Sequence, residues 1–587
     1  MNKKADIGLF WRVLSLARPY RWHFAGAALL AVLLAVLAPI RPMLIRVTVD
    51  DYILPADASL IGPLLQMTIL LIALLLLESF MRYSFIFLSN WLGQTVIRNL
   101  RVKVFEHIVN LRLRFFDRTP IGTSTTRTIN DVETINDIFS QGIITIVADL
   151  LTIFAIIGVM LYQNWRLTLV SLSVFPLLMI ATWFFKEGVK KTYHNVRNAL
   201  ARMNAFLQEH ISGMKVVQIF GAEDREFGKF RKINDQYRKA NIKAIWYYSI
   251  FFPVVEILTA AAVGLVVWYG ANQAIREMSS IGTLIAFFMY LNMLFRPVRM
   301  LADKFNVLQM GLVAADRVFR ILDKDDSPPN EGTICKERLQ GNIRYEHVWF
   351  SYDDENYVLR DINFEMKQGE TLAIVGATGS GKSSTISVLN RFYDIQKGRI
   401  YIDGIEQREY ELHNLRSHIG LVLQDVFLFS GTIFENITLR NRNMSREEVI
   451  EAAKLCGIHD FIMRLPGNYD FNVQERGGTL SMGQRQLIAF VRTLVYNPSV
   501  LVLDEATSSI DRESEELIQH AIETLVSNRT SIIIAHRLST IRHADKILVY
   551  DKGRIVEQGS HETLYALGGH YRKLHDMQFK TESSRLA

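Results

Sequence analysis

Hydrophobic positions divide the chain into two unlike parts. Before about residue 325 they run in long, nearly uninterrupted stretches. Beyond it they come in short runs separated by polar, glycine-punctuated segments. A helix needs about 20 mostly apolar residues to cross a bilayer core. Six stretches meet that length, at roughly 22–47, 61–92, 138–162, 166–188, 244–272 and 280–305. A buried soluble helix imitates one such run, but hardly six. Helical apolar spacing continues without proline from Leu92 to Leu113 and from Val189 to Ile211. These segments are predicted to carry two of the helices on beyond the membrane. Each continuation meets a break suited to a short crossing helix: Thr119-Pro120-Ile121-Gly122 in one, Ser212-Gly213 followed by Met214 to Gly221 in the other. The predicted organisation is an interfacial helix over 1–21, a six-helix membrane domain over 22–322, a linker over 323–341, an α/β domain over 342–578 and a short tail over 579–587.

Charge orients these elements. The segment after the second stretch carries Arg98, Arg101, Lys103, Arg112, Arg114, Arg118 and Arg127. The one after the fourth carries Lys190, Lys191, Arg197, Arg202, Lys215, Arg225 and Lys229. The opposite turns are short and poor in cations. The positive-inside bias therefore predicts a multi-pass protein with both termini and both long loops in the cytoplasm. The same bias explains a net charge of +7 and a pI of 9.1 without nucleic-acid binding. Overall figures of 49% hydrophobic, 21% charged and mean hydropathy +0.13 are an average over two different halves. Cys335 and Cys456 stand far apart, which suggests neither a disulfide framework nor a metal site. Among the ionisable residues inside apolar runs, Arg46 and Arg296 are placed to snorkel. Glu78, Asp149 and Glu256 are candidates to face a polar cavity, because a carboxylate in lipid is costly.

The second half carries the chemistry. The run Thr371-Leu372-Ala373-Ile374-Val375 reads as a strand. It leads into Gly376-Ala377-Thr378-Gly379-Ser380-Gly381-Lys382-Ser383, the G-x-x-x-x-G-K-[ST] pattern between a strand and a helix. The backbone N–H groups of such a loop wrap phosphates, and the following helix N-terminus adds positive potential. Lys382 would reach the β- and γ-phosphates of ATP, Ser384 would lie at the start of that helix beside them, and the Ser383 hydroxyl would ligate Mg²⁺. Val500-Leu501-Val502-Leu503 reads as a buried parallel strand ending at Asp504 and Glu505. Asp504 suits the Mg²⁺ site, and Glu505 suits the general base that polarises the attacking water.

Between these motifs lies Leu480-Ser481-Met482-Gly483-Gln484. With it the chain resembles an ABC transporter over nearly its whole length, of the half-size exporter type that includes multidrug and lipid-flippase proteins. The fold class implied is an all-α six-helix transmembrane domain with long cytoplasmic extensions, followed by an α/β P-loop nucleotide-binding domain. The resemblance implies further roles. Tyr352 would stack on adenine, and Gln424 would sense Mg²⁺ and the membrane domain. Asp511 would form the aspartate loop at a dimer interface, and His536 would contact the γ-phosphate. Leu480 to Gln484 would cap the ATP held by a second chain. Met482 departs from the glycine usual at that position.

The resemblance also implies that two half-transporters pair and export or flip an amphipathic small molecule, lipid or peptide across a bacterial inner membrane. Glu505, His536 and Gln424 would serve hydrolysis. An ATP-gated channel or receptor on the same scaffold is the alternative. Met482 favours a heterodimer over a homodimer.

Overall fold

The computed structural model describes residues 3–276, 280–326, 330–353, 355–504, 512–527, 529–534 and 541–577. The chain forms two units: residues 1–109 with 120–325, and residues 110–119 with 326–587.

The first unit is helical. After a helix at Lys3–Ser15 come Arg21–Leu37 and Ile40–Val47, then Ile61–Val109, Ile143–Leu172, Phe175–Ser212, Glu223–Ile275 and Ile281–Leu322. Among the described residues, four stretches are long and apolar enough to cross a membrane: Arg18–Ile53, Ala58–Val109, Ile121–Leu172 and Glu223–Ile275. Ile281–Pro297 is a shorter apolar helix. Their outer faces are apolar, as a lipid-facing surface requires: Leu76 and Phe80 are each 67% exposed. The helices run on past the apolar stretches: the second continuation reaches Ser212, as expected, whereas the first stops at Val109 and Leu113 opens a separate short helix.

The first helical break falls in the turn left between the expected stretches 138–162 and 166–188. Asn164 has non-helical backbone (φ −159°, ψ 98°), and its side-chain oxygen accepts a hydrogen bond from the Leu167 N–H at 3.0 Å. It therefore caps a new helical start. That helix stops at Leu172, and the next begins at Phe175 with Pro176 in its first turn. This second break falls inside the stretch expected as one span over 166–188 and among apolar residues, so hydropathy alone does not reveal it.

Glycines let side chains of neighbouring helices seat closely against the helix backbone. A Cβ on Gly188 would lie 2.3 Å from the ring of Tyr247 on the neighbouring helix. One on Gly311 would lie 2.2 Å from Ile138. The N-terminus of Ile281–Leu322 is capped across helices. Asp50 accepts from the Gly282 N–H at 2.8 Å and from the Ser280 hydroxyl at 2.5 Å.

The second unit holds two sheets. β1 (Ile343–Phe350), β2 (Leu359–Met366), β4 (Lys397–Ile402) and β5 (Ile405–Glu406) form an antiparallel sheet in the order β2-β1-β4-β5. β3 (Thr371–Gly376), β6 (Ile419–Val422), β7 (Val500–Asp504), β8 (Thr530–Ile534), β9 (Lys546–Asp551) and β10 (Arg554–Gly559) form the other, in the order β10-β9-β3-β8-β7-β6. All its neighbours pair in parallel except β9 with β10. β3, β7 and β8 are apolar on both faces, as strands covered on both sides must be. One core packs Ala373, Leu501 and Ile533 against Leu487 and Phe490. The other packs Leu372, Val502 and Ile532 against Tyr345 and Phe364.

The linker expected over 323–341 is not wholly outside the domain. Ile334 forms a parallel bridge with Tyr410. The break at residues 119–122 is flanked by short helices at Leu113–Arg118 and Ile121–Thr126, and the second break yields a helix at Met214–Ile219.

Candidate functional site

The phosphate-loop pattern lies where a parallel sheet places its ligand site, beyond the carboxyl ends of the strands. Ile374 of β3 is in register with Ile534 of β8, and Ile534 with Asp504 of β7. β6 continues the row, with its Val422 opposite Leu503. At the usual strand spacing, Asp504 lies roughly 10 Å across the sheet from the end of β3. The residues that follow β3, β6 and β7 thus share one edge. These are the loop from Gly376 to Ser383, then Gln424, then Asp504.

The loop needs its glycines. Gly376, Gly379 and Gly381 have φ of 155°, 80° and 108°, and a Cβ on Gly376 would come within 2.4 Å of the Tyr550 carbonyl oxygen. Gly381 precedes the helix Lys382–Leu389. That helix is held from behind: the Tyr345 hydroxyl donates to the Thr385 carbonyl at 3.0 Å, and the Thr385 hydroxyl to that of Tyr550 at 3.1 Å. Lys382 is buried and donates to the carbonyls of Gly376 (2.8 Å) and Ala377 (3.0 Å). Burial pulls its ammonium below the usual lysine range, while the Asp504 charge works against that shift.

Two features fit a polyphosphate with its cation. The buried Ser380 hydroxyl has no hydrogen-bond partner among the described residues, although it sits inside the loop. The exposed Ser383 hydroxyl starts the helix that faces the row containing Asp504. Ser383, Asp504 and Gln424 are the residues that would hold Mg²⁺.

Tyr352 is 39% exposed just beyond β1, and its hydroxyl lies 3.1 Å from that of Ser384. Its ring meets Tyr393 edge-on, with centroids 5.0 Å apart. Sequence reasoning missed what holds this platform. Arg118, on the short helix Leu113–Arg118, donates to the Tyr352 carbonyl at 2.9 Å. The Tyr393 hydroxyl donates to Asp117, and burial followed by that carboxylate pushes the phenol well above its ordinary range. Arg112 pairs with Asp394 at 2.8 Å. The sequence showed Arg112 and Arg118 only as orienting charges. The signal that marks them is their place beside the break at residues 119–122.

In the signature segment, Ser481 caps the helix Met482–Tyr496 in a reciprocal box. Its hydroxyl accepts from the Gln484 N–H at 3.2 Å, and the Gln484 side chain accepts from the Ser481 N–H at 2.9 Å. Leu480 and Gly483 are buried, whereas Met482 is 39% exposed in the first turn. Glu505, Asp511 and His536 lie outside the described residues.

The candidate membrane carboxylates are not brought together. Glu78 is buried and paired with Arg82 at 2.6 Å, with Arg41 at 3.9 Å. Asp149 pairs with Lys304. Glu256 is exposed and makes no ion pair among the described residues.

Comparison with known proteins extends the picture to the whole chain. Residues 24–298 match the ABC transporter transmembrane region family, and residues 359–508 match the ABC transporter family. An uncharacterized ABC transporter ATP-binding protein of Bacillus subtilis is 37% identical over 99% of this chain and 96% of its own length. An ATP-dependent lipid A-core flippase of Syntrophus aciditrophicus is 36% identical over 99% of this chain and 96% of its own. A second Bacillus subtilis protein, whose name proposes a multidrug export ATP-binding/permease role, is 36% identical over 97% of this chain and 100% of its own length. A phosphate loop on the carboxyl edge of a parallel sheet, fused behind a helical membrane unit and matched end to end by such relatives, makes the chain a member of the ABC transporters, a half-size exporter that couples ATP hydrolysis to transport.

Proposed function

We propose that two half-transporters, this chain and a similar partner, flip or export an amphipathic molecule across a bacterial inner membrane. The observation that carries this reading is the row at the carboxyl edge of β3, β6 and β7. A phosphate loop, Gln424 and Asp504 share that edge in a chain whose other unit is built of apolar helices. The names of its relatives, a lipid flippase and a proposed multidrug exporter, support an amphipathic cargo. In this reading six spans leave both termini in the cytoplasm, and each ATP is enclosed between one chain's phosphate loop and the other's Leu480–Gln484 segment.

Mg²⁺ held by Ser383, Asp504 and Gln424 would neutralise charge on the phosphates. The protein's own groups do the rest. Lys382 leaves the Gly376 and Ala377 carbonyls to bind phosphate oxygens. Tyr352 offers its ring to adenine. Glu505 accepts the proton of the attacking water, and His536 donates toward the γ-phosphate. Because ATP is contacted by both chains only when the nucleotide domains close, it binds the closed state better. That difference is what drives the membrane helices. Asp511 would serve in the aspartate loop at that closing interface.

The test is ATP-dependent movement of a fluorescent amphipath in sealed vesicles that contain the purified transporter. Movement that requires hydrolysable ATP supports the reading. Hydrolysis with no movement of any amphipath contradicts it.

A further inference from the structure

The first unit contains a cavity of 790 Å³ between the helices Phe175–Ser212 and Ile281–Leu322. One wall carries Lys190, Lys191 and Arg197. Their spacing, with Glu187 three residues before Lys190, keeps these side chains on one face of a helix. The other wall carries Gln309, Met310 and Val313, with Arg317 at the end.

The charges on these walls are not balanced. Arg317 is engaged by Asp131, which accepts from its Nη2 at 2.6 Å and its Nε at 2.9 Å. Lys190, Lys191 and Arg197 make no ion pair among the described residues. Glu187 is the one carboxylate on the lining. Three cations against one anion leave a surplus of two positive charges facing a cavity whose opposite wall offers Met310 and Val313 as apolar surface. The depth matters as well. In the six-span reading Lys190 follows the stretch ending near 188 and Gln309 the one ending near 305, so the cavity would lie at the level of lipid head groups.

A topology-setting lysine needs only to lie on the cytoplasmic side. It does not need to share a cavity with a glutamine and a methionine from another helix. We propose that this cavity binds the anionic head group, a phosphate or carboxylate, of an amphipathic molecule, and so makes the transporter selective for anionic over zwitterionic cargo. This deepens the export reading and rests on it.

The test uses the full chain in phosphatidylcholine nanodiscs without ATP, so that binding is read apart from turnover. The probes are a dansyl-labelled lysophosphatidic acid and the lysophosphatidylcholine of the same chain length. Affinity is read by energy transfer from the protein's tryptophans. The anionic probe should bind about tenfold more tightly, and that preference should vanish in the combined K190Q/K191Q/R197Q variant. The Q309E variant keeps all three cations, and with them the signal for membrane orientation. It should weaken the anionic probe severalfold and leave the zwitterionic one unchanged.

Adding phosphatidylglycerol to the bilayer identifies the source: competition assigns the site to a bilayer lipid, and its absence to an amphipath arriving from the cytoplasm. Equal affinity for the two probes in the unmodified protein, or an unchanged preference in Q309E, would overturn the proposal. Neither result would touch ATP-driven export, whose own failure would appear as hydrolysis without transport in vesicles.

Discussion

Lys382 shows how one side chain can be bound yet poised. Its ammonium is buried against two backbone carbonyls of its own loop, and burial holds its pKa down. Phosphate oxygens, which carry full charge, are stronger acceptors than those carbonyls. Lys382→Ala should therefore weaken ATP binding by about tenfold or more, measured by nucleotide titration of the purified protein. Unchanged affinity would remove the residue from the site. Glu505→Gln keeps the side chain's shape and loses its basic oxygen. It should cut steady-state hydrolysis by an order of magnitude or more while ATP still binds. Near-normal turnover in that variant would move the general base elsewhere. The position of Lys382 was legible in the sequence because phosphate chemistry dictates the type and spacing of the loop's residues, whereas Glu505 lies outside the described residues. Arg118 and Tyr393 were not legible, since a guanidinium on a backbone carbonyl and a tyrosine on an aspartate need only proximity in space.

Among the elements, the helix Ile281–Leu322 is the most exactingly placed. Asp50 caps its N-terminus, and a Cβ on Gly282 would come within 2.6 Å of both the Arg46 carbonyl and the Asp50 carboxylate. Gly282→Ala must push backbone away from backbone and disturb the cap. It should destabilise the membrane unit by about 1–3 kcal/mol, seen as a lower Tm in detergent. Gly264→Ala is the control. A Cβ there meets nothing within 4 Å, and alanine suits a helix interior better, so Tm should hold or rise. Equal loss in both variants would contradict the packing described. The membrane carboxylates divide in the same way. Glu78→Gln and Asp149→Asn break ion pairs and should lower Tm. Glu256→Gln, with no ion pair to lose, should instead change the stimulation of ATPase activity by transported compounds. If none of the three changes that stimulation, the transport path runs elsewhere. Apolar length made most of these helices legible. The turn at Asn164 fell between two expected stretches, whereas the break before Phe175 was hidden because it lies inside an apolar run.

On the scale of the whole molecule, a half-size exporter acts as a dimer, and in the proposed cycle its signature segment would cap the partner's nucleotide. Met482 is exposed in the first turn of its helix, where it would meet that partner. A side chain where glycine is usual favours a heterodimer in which the partner supplies the better cap. The lone chain should then hydrolyse ATP weakly, and Met482→Gly should raise its activity. Strong cooperative hydrolysis by the lone chain, unimproved by glycine, would assign a homodimer. Domain order was legible from the change in hydrophobic pattern near residue 325. The grouping of residues 110–119 with the nucleotide-binding unit was foreshadowed only by the break that follows them.

The central claim is that ATP hydrolysis drives cargo uphill, and accumulation in sealed vesicles tests it most directly. The transporter is reconstituted with its nucleotide domains outward, and a labelled amphipath is supplied at equal concentration on both sides. With ATP and Mg²⁺ the inside concentration should rise above the outside, and Glu505→Gln should abolish that rise while ATP still binds. Flux that only relaxes an imposed gradient, and that persists in Glu505→Gln with ATP bound, would identify an ATP-gated channel and contradict the account.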